Sequence, residues 1–544
     1  MKWKILKKRK VQSAKCKIGE IIKILLGNRG LKTKKQQQEF LKPKDPYKLT
    51  TKEVGISPLQ ITKAVKRIKK AIKKKEKIIV YGDYDTDGVC ATAISWEVLH
   101  GLGANVMPFI PTREEGYGMK VERLEEFAKD KVTLVITVDQ GIIANQQVEH
   151  AKKLGIDVII TDHHTPGKEK PKAYSIVHTT KLSGAGVSWF LAKKFSKPGL
   201  DLATIGTVSD VMPLLGVNRA IVYRGLSDVR KTKRLGLKEL YKMARIIPEK
   251  IGTYEIGFVI GPRLNASGRM DDPMASLRLI CTRDSERAVT LAQILEQRNQ
   301  ERQLLTKRLT NQARELWLKE DGKSNLIFVS HETFQQGVVG LVAGKLMEEF
   351  YRPAIIVARG KEFSRASARS IEEFNIVEAI RACADILGPH GGHPRAAGFT
   401  VETSKIEILR NRLIKIAEEK LDKEKLAPVL KIDTEIDPQD LNFTLYQQIQ
   451  RLSPFGEGNP QPVFASRQVK VVEAKTVGNG GRHLKLRIIS RHSPVTFDAI
   501  AFGMASLYSQ LSPEKPIDIA YNFQIDEWNG NRKLQLRLKD IKIG

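Results

Sequence analysis

From residue 78 the chain alternates short apolar runs with amphipathic stretches. IIVYGD (78–83), NVMPFI (105–110), LVITVD (134–139) and DVIITDHH (157–164) are nearly continuous apolar runs with many β-branched residues, the pattern of buried strands. Residues 88–102, 119–129 and 144–154 between them carry helical spacing. Strands that are apolar on both faces and alternate with helices predict a parallel sheet covered on two sides. Further on, Val289, Ala292, Leu295, Leu305, Leu309 and Ala313 recur at helical intervals, so residues 284–318 are expected to form long helices joining two lobes. A second α/β lobe follows, with strands at 325–330 and 353–358, a helix from Val338 and a glycine-rich stretch at 388–398. From about 450 the pattern changes to strict alternation: His483 to Ile488 and Lys533 to Leu538 each set apolar residues against polar or cationic ones. Half-buried strands with a basic outer face fit a small barrel able to bind a nucleic-acid strand. Upstream, 18–26 reads as an apolar helix ended by Gly27 and Gly30, and 64–77 as a basic helix.

Length and charge add to this picture. A chain of 544 residues is expected to hold three or four domains, and a net charge of +31 favours a polyanionic partner, nucleic acid first. No run of eighteen apolar residues occurs, which argues against a transmembrane helix. The start, MKWKILKKRK, has no apolar core behind it and reads as a basic first helix of a cytoplasmic protein rather than a targeting segment. Cys16, Cys90, Cys281 and Cys383 lie too far apart for zinc-ligand spacing and imply no disulfide framework, as expected in a reducing cytosol.

The chemistry is suggested by where the acids fall. Asp83 ends the first strand, with Asp85 and Asp87 in the turn after it; Asp139 ends the third; Asp162, His163 and His164 end the fourth. Ligands of open parallel sheets bind at the carboxyl ends of strands, so three strands deliver carboxylates or imidazoles to one edge. Any one Asp in DYDTDG would ordinarily be a turn or cap residue. Together they form a repelling cluster that cations would neutralise. The mixed ligand set suits Mn²⁺ or Mg²⁺, and there are enough ligands for two ions performing phosphoryl hydrolysis without a protein nucleophile.

YGDYDTDG (81–88), TVDQG (137–141), TDHH (161–164) and GTVSD (206–210) resemble, in order and spacing, the four motifs of the DHH phosphoesterase superfamily. GGHPRAAG (391–398) resembles the motif of its associated second domain. ILLGNRG (24–30), EEGYG (114–118), GPRLNASGR (261–269), QGVVGLVAGKL (336–346) and SPFGEGNPQPVF (453–464) are similar to the RecJ exonucleases within that superfamily. The resemblance implies an α/β chain with a parallel-sheet DHH domain, a second α/β DHH-associated domain joined by long helices, and a C-terminal OB-like barrel. The corresponding boundaries are a basic N-terminal helical segment at 1–70, the DHH domain at 71–230, a helical connector at 231–320, the DHH-associated domain at 321–425 and the OB-like domain at 426–544.

Residue by residue, the resemblance implies metal ligation by Asp83, Asp85, Asp139, His163, His164 and Asp210. Asp87 matches a first-motif acid, and Asp162 an orienting or ligating one. Tyr81 stands where some superfamily members carry a ligand histidine, and Gln140 where the second motif usually has a small or polar residue. Arginine binds a terminal phosphate bidentately, and Arg113, Arg263, Arg269 and Arg369, with Ser370, lie in motifs similar to RecJ contacts. His393 joins them from its glycine-rich setting. The implied activity is two-metal, 5′→3′ degradation of single-stranded DNA in recombination and repair, by a monomer working with single-strand-binding protein and a helicase. The alternatives are a phosphoesterase of the same superfamily acting on short oligonucleotides or cyclic dinucleotides, and a non-catalytic replication scaffold.

Overall fold

A computed structural model of the chain describes residues 1–7, 18–270, 272–320, 322–490, 494–512, 515–528 and 531–543. Cys16 lies outside these, and Cys90, Cys281 and Cys383 are free thiols. Two compact units are present. The larger comprises Pro46–Met212 and Arg224–Pro428; the smaller comprises Met1–Asp45, Pro213–Tyr223 and Val429–Gly544.

The larger unit is built on two sheets. The first contains β1 (Lys77–Tyr81), β2 (Asn105–Phe109), β3 (Val132–Val138), β4 (Asp157–Asp162) and β5 (Ser175–His178), all parallel, in the order β2-β1-β3-β4-β5. The first four match the predicted apolar runs. The fifth is too short, and too interrupted by polar residues, to have stood out. The sheet is covered by helices, among them α1 (Thr86–Gly101) and α2 (Gly184–Ala192). The predicted basic helix is Pro58–Lys73, whereas Lys77 already belongs to β1. Tyr81, at the place of the alternative ligand, is fully buried among Phe109 and Phe127.

The order reverses between β1 and β3, which opens a crevice at their carboxyl ends. Tyr81 pairs with Thr137, and Thr137 with Ile160. Two residues further along each strand are Asp83, Asp139 and Asp162, so register alone brings three acids to one level.

After α3 (Asp201–Ser209) and α4 (Gly261–Met270), a 36-residue helix, α5 (Ser285–Glu320), leads to the second sheet. This one continuous helix stands where long helices were expected. The second sheet contains β6 (Ile327–His331), β7 (Ala354–Ala358), β8 (Phe363–Arg369), β9 (Leu387–His393) and β10 (Ala396–Glu402), in the order β9-β10-β8-β7-β6. Only β6 and β7 are parallel. The glycine-rich stretch forms the β9–β10 hairpin, with Gly392 at φ 141°.

In the smaller unit, β11 (Phe464–Val477), β12 (His483–Ile489), β13 (Thr496–Ala501), β14 (Ile517–Trp528) and β15 (Asn531–Ile543) close into a barrel through a β11–β14 pairing. Leu484, Leu486, Ile488, Leu536 and Leu538 fill it, while Arg487, Lys533 and Arg537 stay exposed, as alternation predicts. The helix Ile18–Asn28 packs on the same core through Ile21, Leu25 and Leu26. The described part of the basic start, residues 1–7, is not helical. Lys2–Ile5 is a strand paired in parallel with Val429–Ile432, and residues 8–17 lie outside the described set. Among the described residues no helix is long and apolar enough to cross a membrane.

Candidate metal centre

The acids of the three strand ends are held by backbone amides and by one another. Asp139 follows β3 in the left-handed region, at φ 61°, with its amide donating to Thr161 O at 2.9 Å. A non-glycine residue there costs on the order of 1–3 kcal/mol, and such strain is typical of functional sites. Gln140, fully buried, donates to Gly82 O at 2.5 Å, so its side chain ties the end of β3 to the end of β1 rather than facing the acids. Asp85 caps α1 by accepting from Gly88 N at 2.9 Å. Asp87 accepts from Gly184 N at 2.6 Å and Ala185 N at 3.0 Å, at the positive N-terminus of α2. Asp210 caps the C-terminus of α3.

Three groups of donor atoms result: Asp83, Asp85 and Asp139; Asp87, His163 and Asp210; and Asp139, His163 and His164, each with its ligand atoms within 4.8 Å of one another. His163 Nε2 lies 3.1 Å from Asp139 Oδ1, 3.6 Å from Asp210 Oδ2 and 4.0 Å from Asp87 Oδ2. Asp139 belongs to two groups, as a bridging carboxylate would. Asp87, placed by sequence among the catalytic acids but outside the ligand set, is thus a geometrically eligible ligand. Asp162 is outside all three groups. Its oxygens are taken by Ile142 N at 2.9 Å, His163 N at 2.6 Å and His164 Nδ1 at 2.8 Å, so it orients the His164 imidazole and holds the backbone that carries His163.

Burial and mutual repulsion dominate the electrostatics. Burial, then Asp85, pushes Asp83 up to about 8 and Asp87 up to about 7. Burial, then Asp87 and Asp85, pushes Asp210 up to about 9, and Asp139 is raised well above the carboxylate range. Burial lowers His163 to about 4, which keeps it neutral and ready to ligate. Burial also opposes charge on His164, but the bond to Asp162 outweighs it and raises that ring.

The residues present fit divalent cations. Asp139 Oδ1 and Asp210 Oδ2 are buried without a hydrogen-bond partner, a costly condition that a cation would relieve. Gly184 and Gly206 leave room for this cluster, since a Cβ at either would collide with the Asp139 or Asp87 carboxylate.

Beside the acids stands a group of arginines. Arg113 donates to Gly268 O at 2.9 Å and lies over the Tyr84 ring. Arg269 donates to Gly337 O at 3.0 Å, and Arg369 to Ala368 O at 2.8 Å. Burial, then Arg113, Arg302 and Arg369, depresses Arg269 to about 9. Among the described residues none of these four is paired with a carboxylate. Arg263 is different. Glu296 takes its Nε at 2.6 Å and its Nη2 at 3.3 Å, and Val259 O takes Nη1 at 3.0 Å, which occupies the guanidinium. Ser370 is buried and donates to Phe374 O at 2.7 Å, shaping its turn. His393 is exposed on the β9–β10 hairpin, near enough to contribute to the lowering of His163.

Sequence reasoning passed over Arg302, Asn265 and the position of Tyr117. Asn265 Oδ1 accepts from Thr86 N at 2.9 Å and braces the first turn of α1; its motif, GPRLNASGR, was the available signal. Tyr117 places its hydroxyl 3.3 Å from both Asp139 O and His164 Nδ1, and EEGYG was the signal there. Arg302 sits in a long polar helix and had no signal.

Comparisons with known proteins bear on the same residues. Residues 77–207 match the model of the DHH family, N-terminal domain; 323–421 match the DHHA1 domain; 432–540 match the RecJ OB domain. The single-stranded-DNA-specific exonuclease RecJ of Bacillus subtilis is 36% identical, over 100% of this chain and 71% of that protein. The chain belongs to the RecJ family. Two crystal structures of RecJ from Thermus thermophilus are similar along nearly the whole chain. The Mn²⁺ complex gives a TM-score of 0.82 at 28% identity, covering 99% of this chain and 79% of that one. The Mg²⁺ complex gives 0.76 at 27%, covering 99% and 78%. The two metals named there are those the RecJ donor set suits here.

Proposed function

We propose that this chain is a divalent-metal-dependent exonuclease that degrades single-stranded DNA from the 5′ end, in recombination and DNA repair. The observation that carries this reading is the meeting of Asp83, Asp85, Asp87, Asp139, His163 and Asp210 at the crevice, with two buried carboxylate oxygens that accept no hydrogen bond. Membership of the RecJ family supports the substrate.

Asp83, Asp85 and Asp139 would hold one cation, and Asp87, His163 and Asp210 another, with Asp139 and His163 adjoining His164 between them. When bound, such cations supply the Lewis-acid charge that phosphodiester hydrolysis needs. The protein's own contribution is positioning. Asp162 fixes the His164 imidazole and the His163 backbone, and Gln140 locks the strand ends at one level. Arg113, Arg269, Arg302 and Arg369 form a half-buried cationic recess that suits a terminal phosphate and would measure the strand from its end. His393 would approach the scissile phosphate from the second sheet. The exposed cations of the barrel are a further surface for the strand. Monomeric action in the cytoplasm, beside single-strand-binding protein and a helicase, completes the proposal.

Digestion of single strands labelled at either end, with Mn²⁺ or with chelator, tests it. Metal-dependent loss of the 5′ label as mononucleotide is expected. Preference for a dinucleotide over a long 5′-phosphorylated strand would overturn it.

A further inference from the structure

Between Gly252 and α4 the chain makes one short helical turn, Thr253–Glu255, and then a π-helical stretch, Ile256–Ile260, that runs into Gly261. The π-helix is rare and is frequently found at functional sites. Its inner side is fixed. Ile256 and Ile260 are fully buried. Gly257 lies against Val208, and a Cβ at Gly261 would come 2.7 Å from Ser209 Oγ. Val208 and Ser209 immediately precede Asp210. Gly261 O also accepts from Thr86 Oγ1 at 3.0 Å, at the start of α1. This segment is therefore seated between two of the elements that carry the acid cluster.

Its outer side presents aromatic rings to solvent. Tyr254 is 63% exposed and Phe258 71% exposed, one helical turn apart, with ring centroids 5.0 Å apart and planes 28° from parallel. Val211, the residue after Asp210, is also exposed. A single exposed apolar side chain needs no explanation. Two large rings stacked on each other, on a braced segment adjoining a metal-site element, offer flat apolar area at little entropic cost.

We propose that Tyr254 and Phe258 form a stacking platform for an unpaired base of the DNA strand whose phosphodiester reaches the metal centre. Every base presents a π-face, so the platform holds the strand without reading its sequence. It also discriminates against duplex, whose bases are stacked on each other and unavailable. The platform rests on the nuclease reading above and adds to it a site for the base, where the acids and arginines account only for phosphate.

The full-length double variant Tyr254→Ala/Phe258→Ala removes two exposed side chains and leaves the buried Ile256 and Ile260 in place. For single-stranded DNA, KM is expected to rise about tenfold. Mn²⁺-dependent hydrolysis of bis(p-nitrophenyl) phosphate should not change, and a strand abasic at the platform position should have the same KM with variant and wild type. The aromatic replacement Phe258→Trp should preserve the wild-type KM. Separately from catalysis, 2-aminopurine placed in turn near the 5′ end, without metal, should be quenched by wild type at one position, and the quench should be lost in the double variant. An unchanged KM together with an unchanged quench overturns the platform and leaves the nuclease reading standing. A lost quench with no cleavage of any single strand by wild type would retain the platform and overturn the nuclease reading.

Discussion

The larger unit holds two like-charge clusters of opposite sign, and they obey the same physics. Asp83, Asp87, Asp139 and Asp210 are buried, crowd one another, and are pushed toward their neutral form, whereas at Asp162 burial is outweighed by the bond from His164, which lowers the carboxyl. Arg269, Arg302 and Arg369 are half-buried and pushed the opposite way, again toward neutrality, by burial and, at Arg269, by the neighbouring guanidiniums. Each cluster is held by the backbone group of complementary polarity: amides hold Asp87 and Asp162, carbonyls hold Arg113, Arg269 and Arg369. The difference lies in what relieves them. Geometry gives the acids a common focus within ligand distance, so small cations suffice. The arginines come from separate elements and suit a larger polyatomic anion, as phosphate is. On the proposed function the acids would hold metal and the arginines phosphate, the two sites an end-cutting nuclease needs.

The comparison breaks first at Asp139. Asp139→Asn keeps a side chain that tolerates left-handed backbone but removes the shared carboxylate. Single-turnover cleavage of labelled DNA is expected to fall by about four orders of magnitude, while strand binding, measured by anisotropy, stays close to wild type because phosphate contacts supply most of the affinity. Equal loss of binding would mean that the metal side, not the cationic side, anchors DNA. Next comes Arg269→Gln, expected to raise KM for 5′-phosphorylated strands by about ten- to hundredfold and to erase the preference over 5′-hydroxyl strands. Retention of that preference would remove the arginines from end recognition.

A smaller effect sharpens the acid side. Asp210 is raised to about 9 when folded, so above the ordinary carboxylate range its ionisation favours the unfolded chain. Asp210→Asn should therefore raise the melting temperature of metal-free protein, by roughly 3 °C at neutral pH. The gain should vanish as pH falls below the ordinary carboxylate range, where Asp210 is protonated in both states. The same variant should lose most of the stabilisation that Mn²⁺ gives wild type. A variant that melts lower than wild type without metal would show that Asp210 has a partner the repulsion argument omits.

What was legible in the sequence follows from how each cluster is built. Apolar β-branched runs ending in Asp83, Asp139 and Asp162 announce strands and acids together, because register in a parallel sheet converts similar positions in sequence into one level in space. Asp210 sits at a helix end rather than a strand end, and only the resemblance to a motif pointed to it. The split of roles between Asp87 and Asp162 was not legible, since it depends on which amides each carboxylate finds: Asp87 is left in contact with His163, whereas Asp162 is saturated. Arg302 had no local signal because its significance comes from the side chains that α4 and β8 bring beside it.

Arg263 is the smallest perturbation and the sharpest control. It shares a motif with Arg269, and sequence placed the two in one role, yet its guanidinium is closed by Glu296 on α5. Its side chain is 13% exposed and that of Glu296 18%, so the pair is mostly dry and breaking it leaves an uncompensated carboxylate. Arg263→Ala should cost roughly 1–3 kcal/mol of stability, read by urea unfolding. Removing both partners with Arg263→Met/Glu296→Met should recover much of that loss. Neither variant should change the preference for a 5′-phosphate, because the interaction removed points along the α4–α5 seam rather than into the arginine recess. If Arg263→Ala instead weakens that preference as Arg269→Gln does, the ion pair must open when DNA binds, and the recess would contain five arginines rather than four.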